Sequence, residues 1–271
     1  MPDILLVHGS CHGAWAFRDL APALQDLGYT AFGIDLPGHG NNPRPITDIT
    51  LDLYADAILD AFEDSAIVLG HSMAGFPISA AAEKAPDRID RLIYLCAYVP
   101  RDGVSLIDMR KEAQRQPILE AVERTADGLG MNILPHRARE LFYQDCSDAV
   151  VEFAISNLCT QAIKPQATPI QIGENYARVP KSYIRCTNDQ TIPPEHQLTM
   201  VSDWDQKDVY DIARSHSPFF SDPLGLAALI DHSIKDLIPW RPPCLIVRIT
   251  QNCFQLGMRV AYLQIQPKCV R

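Results

Sequence analysis

Two periods of hydrophobicity alternate along the chain. Short, mostly apolar runs (DILLVHG, YTAFGIDL, AIVLGHS, RIDRLIYLCAYVP) are separated by longer stretches in which apolar residues return every three or four positions. Short apolar runs bounded by turn residues read as strands buried on both faces, and the 3.6-residue recurrence reads as amphipathic helix. Trp15, Leu20, Leu24 and Leu27 mark one helix that stops at Gly28. TLDLYADAILDAFED marks a second with Thr50 as its N-cap, and MAGFPISAAAEK a third. The loop PGHGNNPRP separates the second strand from the second helix. This β-α-β alternation predicts a doubly wound, mainly parallel sheet flanked by helices.

After Pro100 the rhythm changes. SLIDMRKEAQRQ, RARELFYQDC and DAVVEFAISNLC carry helical patterns, and no convincing strand occurs before TPIQI. A small helical cap, inserted after the fourth core strand, is expected over residues 101–175. KSYIRCTNDQ and KDVYDIA then supply the fifth and sixth strands, with a helix from PPEHQLTMVSD between them and a last helix in DPLGLAALIDHSIKDL. The expected organisation is a core of 1–100 and 176–239 interrupted by the cap, followed by an atypical tail of 240–271.

Composition narrows the class. Of 271 residues, 47% are hydrophobic and 21% charged, and no apolar run approaches the roughly 20 residues needed to span a bilayer. MPDILLVHG has no basic residue before its apolar run and no small-residue cleavage site, so no secretory leader is expected. The eight cysteines include no C-x-x-C pair, which predicts reduced thiols, a cytoplasmic protein and no metal site. The net charge of −9 is uneven. All 33 acidic residues precede position 237, whereas five basic residues follow Trp240, leaving residues 1–240 at −14. An acidic body argues against nucleic acid as a partner.

The strand AIVLGHS passes into the helix MAGFPISAAAEK with almost no loop. Gly70-His71-Ser72-Met73-Ala74 comes close to G-x-S-x-G, with Ala74 where the second glycine usually stands. In that pattern the chain reverses sharply and lifts the serine hydroxyl above the sheet. Holding a non-glycine residue in such a turn costs about 1–3 kcal/mol. Taken by itself, Ser72 could equally be a helix cap. Partners further along decide between the two, in the order nucleophile, acid, histidine. Asp189 lies just past the fifth strand and His216 just past the sixth, and in a parallel sheet both open on the edge that carries Ser72. His216 would take the Ser72 proton while Asp189 holds the imidazole tautomer. Asp102, after the fourth strand, is the alternative acid. His39, His136, His196 and His232 read as surface or structural, Asp35 as a loop or cap residue, and His71 as packing beneath the serine. Two backbone N–H groups should face the developing oxyanion: Met73, next to the nucleophile, and Ser10 in the loop HGSCHGAW, which Gly9 allows to come close. No phosphate-loop glycine pattern is present.

LLVHGSCHGAW, GIDLPGHG, GHSMAG, TNDQTIPPEHQ and SHSPFF, in this order, make the chain similar to the α/β-hydrolase superfamily. Within it the chain resembles the compact branch of plant methylesterases, salicylate-binding esterases, hydroxynitrile lyases and bacterial esterase-like relatives. The resemblance spans residues 3 to about 238. It implies an α/β-hydrolase fold with a six-stranded core and a small cap over the Ser72 pocket. The lyases of that branch carry threonine after the first-strand histidine and lysine after the catalytic histidine. Gly9 and Ser217 stand there instead, so ester hydrolysis is expected, with the lyase and a non-catalytic small-molecule receptor as alternatives. Apolar candidates for the pocket are Leu106, Met109, Phe142, Tyr143, Phe153, Phe219 and Phe220. Gly9, Phe142 and Phe219 are the expected substrate contacts. The expected partner is a small, mostly apolar, uncharged ester of methyl or aryl type. No cofactor, nucleic acid or membrane is expected, and a homodimer is left open.

Overall fold

The structure, a computed structural model, describes residues 3–235. The chain runs through β1 (Asp3–Val7), β2 (Thr30–Ile34), β3 (Ala66–His71) and β4 (Ile89–Leu95). It then enters the cap strands β5 (Val122–Arg124), β6 (Gly130–Ile133) and β7 (Gln161–Ala162), and returns through β8 (Lys181–Cys186) and β9 (Val209–Ile212). The six core strands form one sheet in the order β2-β1-β3-β4-β8-β9, with every neighbouring pair parallel. All of β3 is buried, whereas the edge strands β2 and β9 are partly open, as their less continuous apolar character implies.

Helices cover the sheet. Leu51–Leu59 begins at the expected cap, where the Thr50 hydroxyl accepts from the Leu53 N–H at 3.0 Å. Its buried face, Tyr54 and Ile58, joins Phe76 and Ile78 of helix Gly75–Lys84 and Val68, Leu92, Tyr94 and Tyr183 of the sheet in one apolar layer. Residues through Lys235 make one compact unit.

Strand order positions the site. The chain leaves β1 for β2 on one side and returns to β3 on the other, so the crevice beyond the ends of β1 and β3 is the switch point at which α/β sheets bind ligands. Register aligns Val7 with Gly70, His71 with Leu95, Leu95 with Ile184, and Cys186 with Ile212. The loops that follow these residues carry Ser10, Ser72, Asp189 and His216, and all open on one edge.

The cap departs from expectation in two places. Its predicted helices are present at Leu106–Lys111, Pro135–Phe142 and Asp148–Asn157, but β5, β6 and β7 add a three-stranded antiparallel sheet. The β5–β6 turn is built on Asp127-Gly128, with Gly128 at φ 72° and its N–H donating to Thr125 O. An Asp-Gly pair between apolar runs is a hairpin signal, hidden here by strands of only three and four residues. TPIQI, conversely, is no strand. Ile170 exchanges backbone bonds with residues 103 and 104 outside any sheet.

Cys11, Cys96, Cys146, Cys159 and Cys186 are free thiols. No helix among the described residues is long and apolar enough to cross a membrane. The tail reading, 240–271, and the other three cysteines lie outside the described residues.

Candidate active site

Ser72 sits where β3 ends and a short 3-10 turn, Ser72–Ala74, leads into helix Gly75–Lys84. Its φ is +57°, left-handed backbone that a β-carbon disfavours, so the strain expected of the junction falls on the serine itself. The close approach that the motif demands is met one residue later than the pattern suggested. A β-carbon on Gly75 would stand 1.9 Å from the Tyr98 carbonyl oxygen, while Ala74 is accommodated without exposure. Tyr98 also ties this crossing together by donating its N–H to Ser72 O at 3.1 Å. Gly75→Ala is therefore expected to destabilise the fold by about 3 kcal/mol, because rigid backbone has to move. A lowered urea midpoint with an unchanged slope is the measurement that checks it.

The loop after β8 builds a saturated carboxylate. Asp189 is fully buried, and its Oδ1 accepts from the N–H groups of Thr191 (2.6 Å) and Ile192 (3.0 Å). Its Oδ2 accepts from Gln197 Nε2 (2.9 Å) and from His216 Nδ1 (2.7 Å). With Nδ1 donating to a carboxylate, the free lone pair of the imidazole is on Nε2. That atom is buried and has no hydrogen-bond partner among the described residues, Ser72 included. Hydrogen bonds of this kind are often long before substrate arrives and tighten when it binds.

His71 lies against the pair, as expected of packing beneath the serine. Its ring centroid is 4.5 Å from that of His216, and its Nε2–H donates to the His216 carbonyl at 2.8 Å. Cys96 Sγ donates to the same oxygen at 3.5 Å. His71, Cys96 and His216 bring ligand atoms within 4.8 Å of one another, a spacing that could hold a metal. His71 Nε2 and Cys96 Sγ, however, already point at one carbonyl oxygen.

The loop after β1 closes on the serine. A β-carbon on Gly9 would lie 3.0 Å from Ser72 Cβ and 2.9 Å from His71 Nδ1, so only glycine lets Ser10 approach this closely. Met73, 2% exposed, is the second residue of the 3-10 turn that begins at Ser72. Two histidines of this loop were absent from the sequence-based candidates. His8 donates from Nδ1 to Gly9 O at 2.8 Å and accepts the Leu36 N–H at Nε2. His12 bonds Ser10 O at 2.7 Å and the Tyr143 hydroxyl at 2.6 Å. Their signal was the spacing HGSCH itself, two histidines bracketing the loop. Burial pushes His8 and His71 well below the usual imidazole range and His12 down to about 4.

Other candidates are placed elsewhere. Asp102 is exposed and caps the Ile172 N–H at 2.9 Å, away from His216. Asp35 accepts from the N–H groups of Ala14 and Asn41. His39 is buried against Gln161, His196 is buried beside Tyr98, and His136 and His232 are exposed. Of the apolar candidates, Phe142 has its ring 5.7 Å from that of His216, facing the pair. Phe219 does not share this position: it is fully buried between Phe17 and His71, where it supports the histidines from within the core. Leu106 and Met109 likewise belong to the main apolar layer. Phe153 and Phe220 pack on Trp15, whose ring stacks on His12.

Comparison with known proteins agrees with this architecture. The alpha/beta hydrolase family matches residues 4–229. The chain is similar to Methylesterase 1 of Arabidopsis thaliana, at 28% identity over 242 residues, covering 82% of this chain and 92% of the relative. It is also similar to the pyrethroid hydrolase of Sphingobium wenxiniae, at 27% identity over 240 residues, covering 84% and 86%. Among solved structures, a pyrethroid hydrolase from Sphingobium faniae superposes with a TM-score of 0.78 at 26% identity, over 87% of this chain and 97% of the other. A polyneuridine aldehyde esterase variant superposes with a TM-score of 0.74 at 25% identity, over 86% and 99%. A single parallel sheet with this strand order, a serine held at positive φ at its central edge and a match over most of its length together show that the chain belongs to the alpha/beta hydrolase family.

Proposed function

We propose that this protein is a serine carboxylesterase that acts on small, mostly apolar, uncharged esters. The observation that carries the reading is the buried Asp189–His216 pair, whose Nε2 has no partner among the described residues and lies on the sheet edge where Ser72 stands strained at the tip of β3. Relatives named methylesterase and pyrethroid hydrolase support ester chemistry. His216 Nε2 takes the Ser72 proton as Oγ attacks the ester carbonyl, and the charge formed on oxygen faces the Ser10 and Met73 N–H groups. Collapse of the intermediate breaks the bond to the alkoxy oxygen, which leaves as alcohol with the proton from His216. Water then attacks the acyl-enzyme, again losing its proton to His216, and collapse breaks the bond to Ser72 Oγ, which takes that proton back from His216 as the carboxylic acid departs. Phe142 beside the pair favours aryl or short alkyl groups over charged ones.

Cyanohydrin cleavage is disfavoured because departing cyanide needs a cation. Ser217 follows His216, and the nearby Arg214 is engaged with Asp222 at 3.0 Å. A panel of methyl and p-nitrophenyl esters, run beside labelling with an aryl phosphonate, tests the assignment. Turnover with one equivalent of phosphonate on Ser72 is expected. Labelling at another residue, or turnover that survives complete labelling of Ser72, would overturn it.

A further inference from the structure

Ser10 is gripped by more than the turn that carries it. The Gly9–Ser10 peptide is oriented through its carbonyl, which accepts from His8 Nδ1 at 2.8 Å and from the His12 N–H at 3.3 Å. Because the C=O and N–H of a trans peptide point in opposite directions, these bonds also aim the Ser10 N–H. The next peptide is fixed by His12 Nδ1 on Ser10 O at 2.7 Å, and the Ser10 hydroxyl accepts from Gln166 Nε2 at 2.9 Å.

The His12 ring has a defined tautomer only because of a residue from the cap. A carbonyl oxygen can only accept, so the proton facing Ser10 O is on Nδ1. Nε2 must then accept, and the Tyr143 hydroxyl, 2.6 Å away, is its donor. Tyr143 is fully buried at the end of helix Pro135–Phe142, 131 residues further along the chain. The Trp15 ring, stacked on His12 at 5.2 Å, limits tilting of the imidazole. Burial keeps the ring neutral at ordinary pH.

We propose that Tyr143 is a positioning residue for the oxyanion hole, acting through the His12 ring on the Ser10 carbonyl and so on the peptide that follows the donor N–H and fixes the Ser10 backbone, so that the donor pair is assembled only while this part of the cap is seated. The inference rests on the esterase reading above. With the hydroxyl removed, Nε2 is a buried acceptor without a donor, and the proton that binds Ser10 O can leave Nδ1. The oxyanion donor is then misaimed rather than lost. Removing such a donor outright costs about 10²–10³ in kcat, so Tyr143→Phe is expected to lower kcat by about 10- to 100-fold. KM should stay within about threefold, because the donor acts on charge that develops after binding.

The test combines kinetics with an observable that does not need turnover. In Tyr143→Phe, affinity for an aryl trifluoromethyl ketone, which forms a tetrahedral adduct, should weaken in parallel with kcat, while affinity for the product carboxylate holds. His12→Asn places an amide nitrogen near the position of Nδ1 and needs no help from Tyr143. It should retain more activity than His12→Leu, and adding Tyr143→Phe to it should change nothing further. The ¹⁵N shifts of the His12 ring should report an Nδ1–H tautomer in the wild-type protein and a change in Tyr143→Phe. An Nε2–H tautomer in the wild type, or a variant with raised KM and unaltered kcat, would overturn the proposal. If no ester is hydrolysed but the ring shifts still follow Tyr143, the esterase reading fails and the coupling from Tyr143 to His12 stands.

Discussion

Ser72→Ala is expected to lower kcat for ester hydrolysis by on the order of 10⁴ to 10⁶ while the protein remains folded. Without Oγ no acyl-enzyme forms, and the oxyanion donors and pocket retain only the residual catalysis that they offer to water. Folding should survive because alanine keeps the same β-carbon at φ +57° and removes an atom for which no protein partner is needed. Ser72→Gly sharpens the test. It should be equally inactive yet more stable than Ser72→Ala by about 1 kcal/mol, since left-handed backbone costs a residue with a β-carbon about 1–2 kcal/mol. Steady-state kinetics and urea unfolding of the two variants check both halves. Wild-type turnover by Ser72→Ala would remove Ser72 from the mechanism.

The second large effect concerns acid. His8, His12 and His71 are all at most 1% exposed and are held neutral chiefly by burial; neighbouring histidines push His8 and His71 further down, and His216 and His39 do the same to His12. Their unfolded-state value is about 6.5. Above it both states are neutral, and the contribution to stability is fully present. As pH falls below it the unfolded chain binds protons that the folded chain refuses, so stability is lost until the folded values are reached, near 4 for His12. His12, still neutral at pH 5, favours unfolding there by about 2 kcal/mol, and His8 and His71 act in the same direction, a large loss on the scale of a domain's total stability. Unfolding free energy from urea titrations is expected to be level from pH 8 to 7 and to drop steeply between 6.5 and 5, before most carboxylates begin to protonate. A level profile down to pH 4.5 would mean that these rings are charged or accessible in the folded protein.

Much of the architecture was legible because parallel sheets have an unambiguous signature. β3 and the Leu92–Leu95 half of β4 are apolar on both faces, and the helices between the core strands repeat at 3.6 residues, so the number and order of the core strands could be read locally. The antiparallel strands of the cap escaped because β5, β6 and β7 are two to four residues long, too short for a period of two to register. The catalytic candidates were readable from their position after strand ends, since a parallel sheet directs all those ends to one edge. His12 was not, because its significance lies in Tyr143, 131 residues away, and no local pattern links the two.

The sequence alone determined which residues stand at the sheet's carboxyl edge, because hydrophobic periodicity sets strand boundaries and a parallel sheet sets their common direction. The bond of Asp189 to His216 and of Asp102 to the Ile172 N–H, the burial of Phe219 between Phe17 and His71, the requirement for glycine at 75 and the bond from Tyr143 to His12 were decided only by tertiary structure. Each depends on distances of a few ångströms between segments far apart in the chain, and such distances come from packing, to which no local period is sensitive.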